Sequence, residues 1–228
     1  MSDWPAELNV LHDGGWLADT PERFRAAVLS RCLLKRYARD EPLYHAGDPP
    51  GGLYGLISGG ISIELSPNDR EPHLGFLARP GFWIGEVSVL ARRPRVIGVR
   101  SSQESLIAHL PLAQWDLIVQ SQPEAWRWFA FLILRNELLA VAVAGALMIR
   151  DSATRVAAML LILAGDGAEA DAGQAIEVSQ DDIANLTGLS RSTVRHALDG
   201  LEAGGLIERS YRRIRVVDFP GLRRRRIE

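Results

Sequence analysis

In the stretch Gly85-Glu86-Val87-Ser88-Val89-Leu90-Ala91-Arg92-Arg93-Pro94-Arg95, a carboxylate follows a glycine and a guanidinium stands nine residues further on. A guanidinium fork clamps a phosphate through parallel donors, and a glycine lets backbone N–H groups come close to an anion. The same residues have a second reading, an internal Glu86–Arg95 ion pair that braces a tight turn. A buried pair of that kind adds little net stability, so persistence alone favours neither.

The stretch "VSQDDIANLTGLSRSTVRHALDGLEAGGLIERSYRRIRVV" carries donors of another sort. Arg191, Ser192, Arg195 and His196 fall on the outward side of a helix, with the reach to meet base edges in a DNA major groove. Ser210-Tyr211-Arg212-Arg213 follow as a basic tip suited to phosphates. Catalytic chemistry has no comparable grouping. No nucleophile elbow, metal motif or phosphate-loop spacing occurs, so no enzyme is expected. The single cysteine, Cys32, excludes a disulfide within the chain, a cysteine zinc site and a cysteine-ligated iron–sulfur cluster. His12, His45, His73 and His109 are scattered and read as surface or turn residues rather than haem ligands.

Elements must position these groups. Thr20-Pro21-Glu22 predicts a helix start, with Thr20 as cap and the helix fading near Arg31. From Leu33 to Pro111 short β-favouring runs, such as Ile61 to Leu65, Arg95 to Arg100 and Leu106 to Leu110, alternate with glycine-rich breaks. Many short strands at that spacing suggest a roll or small barrel. A long helix is predicted from about Pro123 to Ile149. Along it Phe131, Leu134, Leu138, Val141, Gly145 and Met148 step by 3, 4, 3, 4, 3, the seam of a two-stranded coiled coil. Burial against the chain's own sheet is the plainer use of that stripe, and a homodimer is the favoured one.

Asp151-Ser152 reads as a hinge and fresh cap for a helix to Ala164, and Gly165 to Gln174 as a loop. Ser179 and Asp182 read as a capping-box-like start. Thr187-Gly188-Leu189 makes a turn, and Ser190 caps a second helix with Val194, Ala197, Leu198 and Leu201 inward. Leu206 to Glu208 and Ile214 to Val217 are predicted to pair as a hairpin wing.

The chain has 228 residues, 47% apolar and 24% charged, enough for two modest domains. Its net charge of −2 hides an asymmetry, because Ser179 to Glu228 holds ten arginines against seven acids. That is where a nucleic-acid footprint is expected. No secretory signal is visible, and the longest apolar run is interrupted by Arg135, Asn136 and Glu137, so a cytoplasmic protein with no membrane partner is expected.

"YHAGD", "LYGLISGGISI", "GEVSVLARRPR", "RDSATRVAAMLLILA" and "SRSTVRHALDGLEAGGLIER", in that order, resemble the Crp/Fnr family of bacterial transcription regulators from about Thr20 to about Asp218. The resemblance implies an α+β fold: a cyclic-nucleotide-binding-type β-roll over 1–122, a dimerisation helix over 123–150 and a winged helix-turn-helix over 151–228. It further implies a dimer on a palindromic duplex DNA operator, with RNA polymerase as protein partner. In nucleotide-binding members the glutamate holds a ribose hydroxyl, while the arginine and backbone amides hold the cyclic phosphate. Gly85, Glu86 and Arg95 match those positions.

Departures accompany the match. Val96 and Ile97 follow the arginine where the family has a small or hydroxyl residue and then alanine. The purine-reading Thr and Ser of the dimer helix correspond to Ala140 and Val141, which cannot hydrogen-bond a base. Cyclic AMP or cyclic GMP is therefore one candidate effector, beside another small molecule or none. The implied DNA-contacting set is Ser179, Gln180, Ser190, Arg191, Ser192, Thr193, Arg195 and His196, with Tyr211, Arg212 and Arg213 on the wing. An acid common after the first arginine is Ser192 here, so an altered half-site is expected. Arg223 to Arg226 read either as extra phosphate affinity or as a loose solvated end.

Overall fold

The N-terminal residues form short helices, of which only the last is announced by the sequence pattern. After a 3-10 turn at Ala6–Leu8 come α1 (Asn9–Asp13), α2 (Gly15–Ala18) and α3 (Glu22–Leu29). Thr20 does not cap α3: its hydroxyl donates to the Leu17 carbonyl at 2.7 Å, Pro21 takes the cap position, and the helix stops at Leu29 rather than Arg31. A threonine beside a free helix-end carbonyl bonds backward as readily as forward. The computed structural model describes residues 4–66, 72–165 and 175–227, without the side chains of 226 and 227.

Two antiparallel four-stranded sheets follow, built from β1 (Leu33–Tyr37), β2 (Pro42–Tyr44), β3 (Gly52–Ser58), β4 (Ile61–Leu65), β5 (His73–Ala78), β6 (Trp83–Ile84), then α4 (Glu86–Ala91), β7 (Gly98–Ser101) and β8 (Ser105–Pro111). Their orders are β1-β8-β3-β6 and β2-β7-β4-β5. Strand β3 explains the layering, because its successive side chains point to opposite faces. Leu53 and Ile57 enter a core with Leu11, Trp16, Phe24 and Trp115, while Tyr54 and Leu56 enter a second core with Tyr44, Ile61, Val99 and Ile107. The strand expected from Arg95 begins only at Gly98, so Arg95 and Val96 belong to the loop that approaches it.

Helices α5 (Leu112–Ser121) and α6 (Ala125–Leu147) close this first half. Ala125, Phe129 and Leu132 of α6 are buried in the core that holds Trp16 and Trp115. At 23 residues α6 is long and apolar enough to cross a membrane by length and composition. It nevertheless carries Arg127, Arg135, Asn136 and Glu137. The chain divides into two compact units, Met1–Asn136 and Glu137–Glu228, and the division falls inside α6.

The second unit contains α7 (Ser152–Ala164), β9 (Ala175–Glu177), α8 (Gln180–Thr187), α9 (Arg191–Ala203), β10 (Ile207–Ser210), β11 (Arg213–Val216) and α10 (Phe219–Ile227). Asp151 caps α7, its carboxylate accepting from the Thr154 N–H at 2.7 Å. Gly165 ends that helix, and 166–174 of the expected loop lie outside the described residues. The wing is a three-stranded antiparallel sheet in the order β10-β11-β9 rather than a lone hairpin. Arg223 to Arg226 fall within α10, so the basic end is helical, with Leu222 fully buried.

Candidate functional site

Gly85 precedes α4 with φ +107°, and a Cβ there would stand 2.7 Å from both Arg95 Nη1 and the Gly52 carbonyl oxygen. Only glycine allows that approach. Glu86 then opens α4, and both Glu86 and Arg95 are only 4% exposed. They do not pair with each other, which overturns the internal ion pair. Glu86 Oε1 accepts from Asn136 Nδ2 at 2.9 Å, and the same amide donates to the Trp83 carbonyl at 3.0 Å. Arg95 Nη1 donates to the Gly85 carbonyl at 3.0 Å and Nη2 to the Gly52 carbonyl at 2.8 Å. Its backbone is pinned as well, bonded both ways to the Gly47-Asp48 turn at 2.8 Å.

Aromatic rings fill the space around this guanidinium. Arg95 lies 4.2 Å from the Tyr44 ring centre and 5.5 Å from that of Tyr54. Tyr54 in turn stacks on His109 at 4.6 Å. His109 is therefore an interior residue, contrary to its expected place in a turn or at the surface. Nε2 meets the Gly51 carbonyl at 3.0 Å, and burial holds the imidazole below its ordinary pKa. Burial raises the Tyr44 phenol above its usual range and pushes the Glu86 carboxyl up in the same way.

Tested against a cyclic nucleotide, the two sides of this cassette differ. Glu86 Oε2 and Arg95 Nε are buried without a partner, so each could take one more hydrogen bond. But both terminal nitrogens of the guanidinium are committed to backbone carbonyls, and Tyr44 covers it. Val96 is 68% exposed and brings no hydroxyl. Ala140 and Val141 are exposed on the part of α6 that belongs to the second unit, and neither side chain can bond a base. The phosphate side does not fit the ligand. Sequence reasoning missed Asn136, Gly52, Tyr44 and Tyr54; a polar Asn136 interrupting an apolar helix was the available signal.

Glu86 offers a measurable consequence. Its folded pKa lies above the ordinary 4.5, so its contribution to stability is full below that pH and is lost as pH rises through the folded value. Glu86→Gln keeps an acceptor for Asn136 and removes the buried charge. We expect Tm at pH 7 to rise by about 2–4 °C, the shift that about 1 kcal/mol produces in a chain this size. The gain should shrink toward zero as pH falls to 4.5. The acid-side loss from His109 is common to both proteins and cancels in the comparison.

In the second unit, Ser179 and Asp182 form a full capping box: the Asp182 N–H donates to Ser179 Oγ at 3.1 Å and the Ser179 N–H to Asp182 Oδ2 at 2.8 Å. Gly188 ends α8 with φ +64°, a conformation glycine adopts at no steric cost. Ser190 Oγ accepts from the Thr193 N–H at 3.1 Å and opens α9. Val194, Ala197, Leu198 and Leu201 are buried, while Arg191, Ser192, Arg195 and His196 are exposed together on the opposite side. Gln180 is exposed at the start of α8, whereas Thr193 is half-buried and engaged with Ser190.

Acids accompany these donors. Arg191 pairs with Asp181 at 2.8 Å, Arg213 with Glu177 at 2.6 Å and Arg195 loosely with Asp199 at 4.0 Å. At the wing tip Tyr211 is 89% exposed and Arg212 takes a left-handed φ of +54°. Along α6, Phe131 is half-buried and Gly145 exposed, while Leu134, Leu138 and Val141 are 47–62% exposed; Met148, 83% exposed, lies beyond the helix, which stops at Leu147 rather than Ile149. Leu134, Leu138 and Val141 of the expected seam are therefore exposed side chains of the single chain.

Known proteins match in the same two pieces. The cyclic nucleotide-binding domain family matches residues 34–122, and the Crp-like helix-turn-helix domain family matches residues 154–225. The cAMP-activated global transcriptional regulator CRP of Salmonella typhimurium is 24% identical over 182 residues, covering 78% of this chain and 87% of that protein. The cAMP-activated global transcriptional regulator Vfr of Pseudomonas aeruginosa is 26% identical over 187 residues, 79% of this chain and 87% of that one. In fold, FixK2 from Bradyrhizobium japonicum aligns at TM-score 0.73 with 19% identity, over 85% of this chain and 96% of FixK2. The c-di-GMP responsive regulator CLP of Xanthomonas campestris aligns at TM-score 0.64 with 24% identity, over 87% of this chain and all of CLP.

Proposed function

The chain belongs to the Crp/Fnr family of DNA-binding transcription regulators, and we propose that it acts as a homodimer on palindromic DNA without a cyclic nucleotide as gate. The observation that carries the second half of this reading is the commitment of Arg95. A guanidinium already bonded to two carbonyls and covered by Tyr44 must break those contacts before it meets a phosphate. Arg95, Tyr44, Tyr54 and His109 stack on one another as an interior column of the chain's own side chains.

The dimer half rests on the exposed seam of α6. Members of this family are typically dimers, and a second copy supplies the matching apolar stripe. Residues 123–150 would then serve as the dimerisation segment. The outer face of α9 enters the major groove, with half-sites about one helical turn apart. Ser179, Gln180, Tyr211, Arg212 and Arg213 stand where phosphates flank the groove.

A second reading keeps a small effector in the roll. It is favoured by the two unpartnered buried atoms, Glu86 Oε2 and Arg95 Nε, and by relatives named as cAMP-activated. One experiment separates the two. A duplex is first selected from random DNA, and its affinity and the protein's Tm are measured with millimolar cyclic AMP, cyclic GMP or cyclic di-GMP. We expect tight binding without nucleotide and no change in Tm with it. A ligand specific for the folded state must raise Tm, so a rise coupled to tighter DNA binding sinks the proposal.

A further inference from the structure

We propose that Asp181 is a positioning residue for base reading: its carboxylate forms an ion pair on the Nε side of Arg191 and so restricts the arginine to the rotamers from which its terminal nitrogens reach a guanine. This rests on the DNA-binding face of α9 described above. The two side chains come from different helices, Asp181 from the first turn of α8 and Arg191 from the first residue of α9. Both first turns are fixed by their own caps, the Ser179–Asp182 box and Ser190. The side chains meet at 2.8 Å between Arg191 Nε and Asp181 Oδ1.

This pair has little to do with folding. Arg191 is 78% and Asp181 52% exposed, and ion pairs in water contribute about 0–1 kcal/mol. Its effect is on geometry. A free arginine loses much rotamer freedom when it docks, and holding the side chain beforehand lowers that cost. A carboxylate paired on the Nε side leaves the two terminal nitrogens for the O6 and N7 acceptors of guanine, the bidentate contact that distinguishes this base. Arg195 lacks such a hold, since its nearest acid is Asp199 on its own helix at 4.0 Å. The carboxylate is also tolerated near DNA because Arg191 neutralises it.

The test uses the full chain with the selected operator, a set of operators changed at one base pair per half-site, and an unrelated duplex, all at one salt concentration. Arg191→Ala should abolish discrimination at one base pair of each half-site. Asp181→Ala and Asp181→Asn should each reduce discrimination at that same base pair by about 3–10-fold and leave the other positions unchanged. In an Arg191→Ala background, Asp181→Ala should then leave discrimination between base pairs unchanged, whatever it does to overall affinity. Unaltered melting curves establish that α8 is intact, as expected while the capping box remains. The inference is overturned if Asp181→Ala tightens all duplexes equally, which would make the carboxylate a repellent of phosphate only. It is equally overturned if discrimination survives Asp181→Ala while Arg191→Ala removes it. Should Arg191→Ala leave every position read as before, the assignment of α9 as the reading helix fails first.

Discussion

Replacing Leu138 and Val141 together by glutamate should yield a monomer whose operator affinity is lower by about 10²–10⁴-fold. Both side chains are exposed on α6, at 59% and 62%, so each chain should fold as before. Two copies bring two such stripes together, and four glutamates across that seam repel one another without burying any apolar surface in return. DNA reading itself stays intact, because the caps and core of α8 and α9 do not involve these residues. What disappears is the second half-site contact, made nearly intramolecular by dimerisation. Sedimentation velocity reads the assembly and fluorescence anisotropy the affinity. A variant that remains a dimer, or a monomer that binds the palindrome as tightly as wild type, would remove α6 as the interface.

Replacing Arg95 by methionine should destabilise the protein by about 2–4 kcal/mol in the absence of any nucleotide, since two buried carbonyls lose the guanidinium as donor and that of Gly85 keeps only the longer bond from the Val89 N–H. For a chain of this length that is a fall in Tm of about 5–15 °C. The carbonyls are those of Gly52 and Gly85, each within 3.0 Å of the guanidinium, and the rings of Tyr44 and Tyr54 lose a cation held against them. Methionine approximates the length of the stem, so lost packing contributes little. An arginine kept only to clamp a ligand predicts the opposite sign. Without that ligand it is a buried charge in search of a partner, and its removal should leave Tm unchanged or raise it. Thermal unfolding of the two proteins in nucleotide-free buffer decides between a brace and a clamp.

The contrast between the two ends of this chain follows from the range of the interactions involved. The capping box at Ser179, the glycine turn at Gly188, the cap at Ser190 and the inward stripe of α9 were legible residue by residue. Each is satisfied within four positions of the chain, where spacing is geometry. The long helix α6 with its 3-4 apolar spacing was legible for the same reason. At Thr20 that rule failed, because a neighbouring helix end offered the hydroxyl a carbonyl first.

In the cassette, sequence could name Gly85, Glu86 and Arg95 but not their partners. Arg95 reaches Gly52 across 43 residues, and Glu86 meets Asn136 across 50. No local pattern encodes such pairings, since they join a loop to β3 and α4 to α6, segments brought together only by the tertiary fold. His109 shows the same limit: an isolated histidine looks like a surface residue until its strand is placed between two layers. Asp181 and Arg191, ten positions apart, become a pair only when the turn at Gly188 folds one helix start against the other. Local chemistry thus made the family pattern and the caps, turn and inward stripe of α8 and α9 legible. Contacts between distant segments decided that the guanidinium of "GEVSVLARRPR" is spent on the chain's own backbone.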